Sequence, residues 1–302
     1  MCDDVLTTIW KRQAAWSRAA DRLKASIETA RAAALAFSVM GAVAETGAGT
    51  ILATAPDWRT ACAAIGACLL ALAVAITKSR LTPDAIRAWT RARSVSEAIK
   101  AEVYTFCAQA NPYLGANALN ILFRKTSDIQ HSADNIQHHT AIIDVRDITS
   151  PPLLSHDEYI IIRVNKQIEK FYREKARHYT KRLNFLRNTE LLLGILGTLL
   201  GVLATALGNN GIAGNFGVWT ATVTTLGTSL AAHIAANRYD FIVLSYVATA
   251  TRLEDLVIEW RSRTDAKTET DWSTFVKSCE DTISVENQSW LVKFTEKPHG
   301  EP

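Results

Sequence analysis

The sequence predicts an all-α membrane protein, with four transmembrane helices in two hairpins and long helices in the cytoplasm. The first observation is four apolar segments, each close to the roughly 20 residues that a helix needs to cross a bilayer. They lie at about residues 32–55, 60–77, 191–208 and 217–236. The second is their lack of charge, because Leu191–Asn237 holds no Asp, Glu, Lys or Arg and the first segment holds only Glu45. The third is helical periodicity in the charged sequence outside these segments. Because that sequence is polar, it offsets the apolar segments and the mean hydropathy of the chain is near zero.

Basic residues predict the orientation of the two hairpins. Lysines and arginines cluster before the first and third segments and after the second, whereas the turns Ala55–Asp57 and Asn209–Gly217 are nearly uncharged. Cytoplasmic flanks carry the excess of Lys and Arg in membrane proteins. We therefore expect both termini and the long middle section in the cytoplasm, with only the two turns outside.

The chain repeats one unit, a helix, a membrane hairpin and a second helix. Aligning Glu97 with Glu254 superimposes the acidic positions of the helices that follow the two hairpins. We predict a first domain at 1–148 and a second at 149–302, the latter ending in a further helix.

The helices that follow each hairpin are amphipathic and are predicted to pack through their apolar faces. Apolar residues recur there at steps of three and four, as on one face of an α-helix. One hypothesis is that the two halves pack on each other within one chain, and another adds packing between chains in a ring. The candidate oligomerisation residues are Trp89, Val95, Ile99, Leu253, Leu256 and Trp260.

Glu45 is the first candidate for the wall of a pore. An ionisable side chain within a membrane span is costly and usually faces the bundle interior or water. Ser38, Gly41, Glu45 and Gly49 follow one another at steps of three and four, which places Glu45 on a face of small residues. The alternative is that the span has other limits and that Glu45 reaches the outer interface.

The fourth segment carries a polar stripe with the remaining pore-lining candidates. Thr222, Thr225, Ser229 and His233 share one helix face. Threonine and serine hydroxyls can bond their own helix backbone, so such a stripe also suits helix packing. The stripe is therefore read either as a packing surface or as a wetted pore wall.

Enzyme and cofactor chemistry is not predicted. The chain holds no G-x-S-x-G, phosphate-binding GxxxxGK[ST] or HExxH motif. His131, His138 and His139 form the nearest approach to a metal site, but no cysteine or paired carboxylate completes a tetrahedral set. We predict no enzyme activity, cofactor, metal or nucleic-acid partner.

Two motifs give the chain a family resemblance. They are WxxAR…SExIKxEVY…ANPY and, later, FVxxxExxIxxENQxW. The residues that carry them are Trp89, Arg91–Arg93, Glu97, Lys100, Glu102, Tyr104, Pro112, Tyr113, Phe275, Glu280, Glu286, Asn287 and Trp290. With these motifs the chain resembles a fusion of two bacterial two-span effector domains of the SLATT, or DUF4231, family.

The resemblance implies a component of the bacterial inner membrane that serves in anti-phage or other conflict systems. Its implied partners are the lipid bilayer, further copies of the chain and, as the trigger, an upstream sensor protein or a nucleotide signal. The leading hypothesis is an oligomeric effector that forms a pore or channel. The alternative is a non-conducting membrane-anchored scaffold or sensor that recruits a partner.

Overall fold

The structure is a computed structural model, and it describes residues 2–52, 55–145, 148–207, 212–265 and 268–295. Most residues in these ranges are helical and none lies in a strand, which confirms the predicted all-α class. The first three residues of the predicted Asn209–Gly217 turn lie outside the described residues. So do the side chains of Glu286, Asn287 and Trp290.

Long helices account for most of the described chain. They are α1 (Cys2–Thr50), α2 (Pro56–Arg80), α3 (Pro83–Cys107), α4 (Ala118–His131), α5 (His156–Tyr159), α6 (Glu174–Leu207), α7 (Ile212–Asn237), α8 (Tyr239–Ser262) and α9 (Glu269–Thr295). A 3-10 helix spans Asp134–His139, and π-helical segments span Ile160–Asn165 and Ile168–Arg173. Because α5, the π-helical segments and α6 join, His156–Leu207 is one continuous helix of 52 residues.

The helices form two compact units. Unit 1 comprises residues 1–25, 83–177 and 243–302, and unit 2 comprises residues 26–82 and 178–242. Each unit draws on both halves of the chain, so the sequence domains 1–148 and 149–302 describe the repeat and stay a prediction.

The core of unit 1 forms around the apolar face of α3. The apolar residues that recur at steps of three and four along this face are all buried: Trp89, Ala92, Val95, Ile99, Val103 and Phe106. The helix packs against α4 and α9, which contribute the buried side chains of Leu122, Val276 and Ile283. On α1, Gln13 Nε2 donates to Ser96 Oγ of α3 at 3.0 Å. Helices from both halves of the chain therefore share one core.

Two capping boxes fix the starts of the helices that carry the buried charges of unit 1. Ser155 N donates to the Glu158 carboxylate at 2.8 Å, and Glu158 N donates back to Ser155 Oγ. At the start of α9, Thr268 N and Asp271 N make the same reciprocal pair. Each box satisfies donors that the first turn of a helix leaves without partners.

Three helices among the described residues are long and apolar enough to cross a membrane: Asp4–Thr50, Pro56–Arg80 and His156–Leu207. They agree with the first three predicted spans, and they mark the chain as a membrane protein. Helix α7, which holds the predicted fourth span, is not one of the three. Its apolar run is interrupted by Thr220, Thr222, Thr224, Thr225 and Thr228, which lower its hydropathy.

Within unit 2, two glycines allow α1 and α2 to approach each other closely. A Cβ on Gly66 would lie 2.8 Å from Glu45 Cγ and 3.1 Å from the Gly41 carbonyl oxygen. A Cβ on Gly41 would lie 2.8 Å from Leu70 Cγ and 3.0 Å from the Gly66 carbonyl oxygen. Small residues permit this backbone approach, which strengthens packing between membrane helices.

Gly66→Val should separate α1 from α2 and destabilise the protein by about 1–3 kcal/mol, the usual cost of overpacking. Gly49→Ala is the matched control, because a Cβ at Gly49 meets no atom within 4 Å. Thermal unfolding of the two variants in the same detergent measures the difference. Equal melting temperatures for both variants would show that the close approach contributes nothing.

Candidate functional site

A buried ion pair joins the long helix to α9 in unit 1. Arg163 is 2 % exposed and Glu280 is 5 % exposed. Arg163 Nε donates to Glu280 Oε1 at 2.8 Å, and Nη2 donates to Oε2 at 2.6 Å. Tyr159 Oη donates to the same Oε1 at 2.9 Å. The pair is bidentate and fully hydrogen-bonded, the geometry that a buried pair needs to offset its desolvation.

Burial and neighbouring charges set the protonation states of Arg163 and Tyr159. Burial lowers the pKa of Arg163, but the charge and hydrogen bonds of Glu280, together with Glu97 and Tyr159, outweigh it, so the net pKa lies above the ordinary value. Burial, followed by the Glu280 charge, raises the pKa of Tyr159 well above its usual range. Arg163 is therefore a fixed cation, and Tyr159 stays a neutral hydrogen-bond donor.

Further charges on α3 surround the same arginine. The Arg163 guanidinium carbon lies 4.6 Å from the centre of the Tyr104 ring. Lys100 Nζ lies 3.9 Å from Glu97 Oε2, and their side chains are 24 % and 20 % exposed. Burial raises the pKa of Glu97, but Lys100, Arg93 and Arg163 together outweigh it, and the net pKa is lowered. Glu97 is therefore an anion among cations.

A second polar contact joins Glu102 of α3 to Lys125 of α4. Tyr113 Oη donates to Glu102 Oε2, and Lys125 Nζ lies 3.3 Å from both Glu102 carboxylate oxygens. Burial and then the bond to Glu102 raise the pKa of Tyr113. The motif residues Glu97, Lys100, Glu102, Tyr104, Tyr113 and Glu280 thus belong to polar networks of unit 1.

Aromatic side chains pack beside the buried ion pair. Trp272 Nε1 donates to the Ala108 carbonyl at 2.8 Å, which ties α9 to the end of α3. The Trp272 ring stacks on His156 at 4.0 Å and on Phe275 at 5.5 Å. Trp260 stacks on Phe275 at 5.1 Å. This cluster therefore joins the end of α8 to the start of α9.

The two π-helical segments lie where the long helix packs against the core of unit 1, and Arg163 is in the first of them. Buried residues follow each other there at steps of four: Ile160, Val164, Ile168, Tyr172 and Ala176. An α-helix advances about 100° per residue, so each step of four would carry the buried stripe about 40° further around it. Wider turns absorb that drift and keep all five residues on the core side. Such turns recur at functional sites.

Unit 2 holds its polar side chains at contacts between helices. Glu45 lies on the Gly66 side of α1, half-buried, and Gly49 lies in open space. The buried hydroxyls of Thr46 and Thr222 share a hydrogen bond that joins α1 to α7. Further along, Arg31 Nη1 donates to Asn237 Oδ1 at 3.2 Å. Helix α1 therefore makes polar contacts to α7 and a close small-residue contact to α2.

The other pore-lining candidates of α7 lie at different depths. Thr222 is buried against α1, Thr225 is exposed, and Ser229 and His233 are half-buried. The hydroxyls of Thr222 and Thr225 donate to the carbonyls of Val218 and Ala221, four residues earlier. The structure brings Thr222 near Glu45 through Thr46. Their role as a pore wall stays a prediction.

The candidate oligomerisation residues lie inside the chain. Trp89, Val95, Ile99, Leu253, Leu256 and Trp260 are all buried, with exposures of 0–8 %. The chain itself provides the packing that their spacing requires. In this structure the chain itself covers them, and their part in assembly stays a prediction.

Two important residues were not singled out by the sequence. Arg163 is the only charge in the run YIIIRVN, and an arginine set among apolar residues on a predicted helix indicates a buried partner. The four-residue steps described above are a second signal, since they fit poorly to a regular α-helix. Thr46 directly follows Glu45, and no pattern in the sequence predicts its contact with Thr222.

Two family models match the chain. The model described as SMODS and SLOG-associating 2TM effector domain 1 (SLATT_1) matches residues 159–290. The model described as a protein of unknown function (DUF4231) matches residues 14–119. No curated protein and no solved structure matches the chain significantly. The matched segments include Arg163, Glu280, Glu97 and Lys100, and also Glu45.

Proposed function

The chain belongs to the SLATT/DUF4231 family as a tandem member, and on this premise we propose that it is an oligomeric bacterial membrane effector that forms a pore or channel. The observation that carries the proposal is the position of Glu45. This acidic residue lies in an apolar helix, is half-buried, and has its Cγ at the contact with Gly66. An ionisable group kept inside a membrane bundle generally serves an ion or proton path.

We propose that helix α7 is the fourth span and that both termini lie in the cytoplasm of the inner membrane. The basic residues around the spans and the uncharged turns support this orientation. A cysteine placed at Lys297 should react with an impermeant thiol reagent only after the cells are lysed. Labelling of intact cells at that position would reverse the orientation.

Assembly in this proposal uses apolar side chains that unit 1 leaves exposed on α8. Leu244, Val247 and Ile258 are 69 %, 50 % and 64 % exposed and lie along one side of the helix. Burying a repeated apolar face in a closed symmetric ring is the usual solution for soluble parts of oligomers. Four spans enclose no wide channel, so a pore requires several chains.

Val247→Glu combined with Ile258→Glu should convert the solubilised particle to a monomer and abolish depolarisation of cells that express it. Light scattering after size exclusion and a potential-sensitive dye measure the two effects. Glu259→Gln is the matched control, since Glu259 lies on α8 with its side chain 63 % exposed. A monomeric unmodified protein, or a double variant that still assembles, would rule out this surface.

The long helix supplies a mechanism for activation. Its π-helical segments lie in unit 1, and the same helix continues through α6 to Leu207. Conversion of a π turn to an α turn changes the number of residues per turn, and each residue of change turns the following helix by about 100°. Rearrangement around Arg163 would thereby rotate the third span.

Deletion of Ile162 should leave the protein folded and should convert the first π-helical segment permanently to α-helix. A π turn is an α-helix with one residue inserted, so the deletion restores i→i+4 bonds without changing the downstream faces. Deletion of Lys181 in α6 is the control, because there a missing residue turns every later side chain by about 100°. We expect near-native melting and lost activation for the first variant, and poor expression for the second. If both deletions unfold the protein equally, the π turns are not the switch.

The alternative function is a non-conducting scaffold. One observation favours it: the exposed threonines of α7, Thr224, Thr225 and Thr228, donate to carbonyls of their own helix. Hydroxyls satisfied in this way are also compatible with a surface that only packs against other helices. Purified assemblies that remain impermeable after activation in cells would favour the scaffold.

A further inference from the structure

We propose that a cleft in unit 1 binds a phosphate-bearing anion, a site that goes beyond the proposed pore. The cleft has a volume of about 920 Å³ and is bounded by α1, the first turns of α3 and the 3-10 helix. Arg87, Arg91, His138 and His139 line its polar side. Leu23, Ala88 and Ile136 line its apolar side.

The basic groups of the cleft are arranged as donors. Arg91 Nη2 donates to the Ser132 carbonyl at 2.5 Å, which holds the guanidinium at the edge of the cleft. The His138 and His139 rings lie 4.0 Å apart and tilted by 41°. Arginine guanidinium groups supply charge-assisted hydrogen bonds to phosphate oxygens, and a neutral histidine donates one from its ring N–H. Burial and the neighbouring His138 lower the pKa of His139, which favours the neutral ring. The histidines that the sequence suggested as a weak metal site thus line the same cleft as two arginines.

The Asp84 carboxylate pairs with Arg87 in the way that a phosphate oxygen would. Asp84 Oδ1 lies 2.6 Å from Arg87 Nη2, and the two side chains are 87 % and 62 % exposed. An exposed pair of this kind contributes little to stability. A phosphate group would therefore displace Asp84 from Arg87 at small cost, and Asp84 competes with the ligand for this cation.

The apolar side determines the kind of anion. A cleft that pairs cations with aliphatic side chains suits a phosphate attached to an apolar or planar body, and inorganic phosphate would fill only part of it. In the sequence, Leu23 shortly precedes the first predicted span, and Asp84 shortly follows the second. The phosphate can come from a lipid headgroup or from a soluble phosphorylated molecule, and the experiment separates these sources.

Two binding measurements on the full chain test the site without any ion flux. In the first, sodium pyrophosphate is titrated calorimetrically into protein held in phosphatidylcholine nanodiscs. In the second, retained phosphatidylglycerol is counted after extraction from mixed phosphatidylglycerol and phosphatidylcholine vesicles. Pyrophosphate binding indicates a soluble ligand, and retention of phosphatidylglycerol alone indicates a lipid headgroup.

Removing the arginines and removing the competing carboxylate should change the binding affinity in opposite directions. Arg87→Gln with Arg91→Gln should weaken binding of the responding probe about tenfold or more, the loss of charge-assisted hydrogen bonds. Asp84→Asn should strengthen it several-fold, a gain that misfolding cannot produce. Arg124→Gln, an exposed arginine on α4, should leave it unchanged. The proposal is overturned if neither probe binds, or if the double variant and Asp84→Asn both bind like the unmodified protein.

Discussion

Arg163→Met should cost about 3–5 kcal/mol of unfolding free energy, because it leaves the Glu280 carboxylate buried without its cation. Glu280 is 5 % exposed. It would lose both hydrogen bonds from Arg163 and keep the one from Tyr159. Glu280→Leu should be similarly harmful, since it leaves the Arg163 guanidinium buried and unpaired. Thermal and denaturant unfolding in detergent measure both effects.

Arg173→Met is the matched control on the same helix. Arg173 pairs with Glu169 and Glu254, but its side chain is 48 % exposed. Exposed pairs contribute about 0–1 kcal/mol, so this variant should melt close to the unmodified protein. The double variant Arg163→Met, Glu280→Leu should recover much of the stability, since both charges are gone. If Arg163→Met melts like Arg173→Met, the buried pair does not organise unit 1.

Glu45→Gln should reduce the preference of the pore for cations while leaving assembly intact. Glutamine keeps the shape of the side chain beside Gly66 and removes its charge. Rings of carboxylates select cations in channels, so several copies of Glu45 around one path would dominate selectivity. The reversal potential in a salt gradient should move toward zero.

Asp57→Asn is the control for Glu45→Gln. Asp57 is also acidic and follows the same helix, but it is exposed in the first turn of α2. Its neutralisation should change the reversal potential much less, because a charge in high dielectric acts weakly. Equal effects of the two substitutions would place the selective region at the mouth of the pore and not at Glu45.

The sequence predicts the elements better than it predicts their partners. The apolar spacing of α3 identifies the buried face from Trp89 to Phe106, because one face of a helix is a local property. The same spacing does not indicate what covers that face. Residues proposed for contacts between chains, such as Val95 and Leu253, are covered by other helices of the same chain.

Long-range pairing explains most of what the sequence did not predict. Arg163 and Glu280 are 117 positions apart, and Thr46 and Thr222 are 176 apart. No local sequence pattern predicts such contacts, although the single arginine in YIIIRVN indicates that it has a buried partner. The threonines of α7 lower its hydropathy, and α7 is not among the three described helices that are apolar enough to cross a membrane. Composition alone cannot separate a packed helix from a pore wall.

The conductance of purified protein in a planar lipid bilayer tests the central claim most directly. We expect discrete current steps from the assembled protein, with a reversal potential on the cation side that Glu45→Gln moves toward zero. It would be contradicted by an assembly that inserts in the bilayer, depolarises no cells and passes no current above that of the lipid alone.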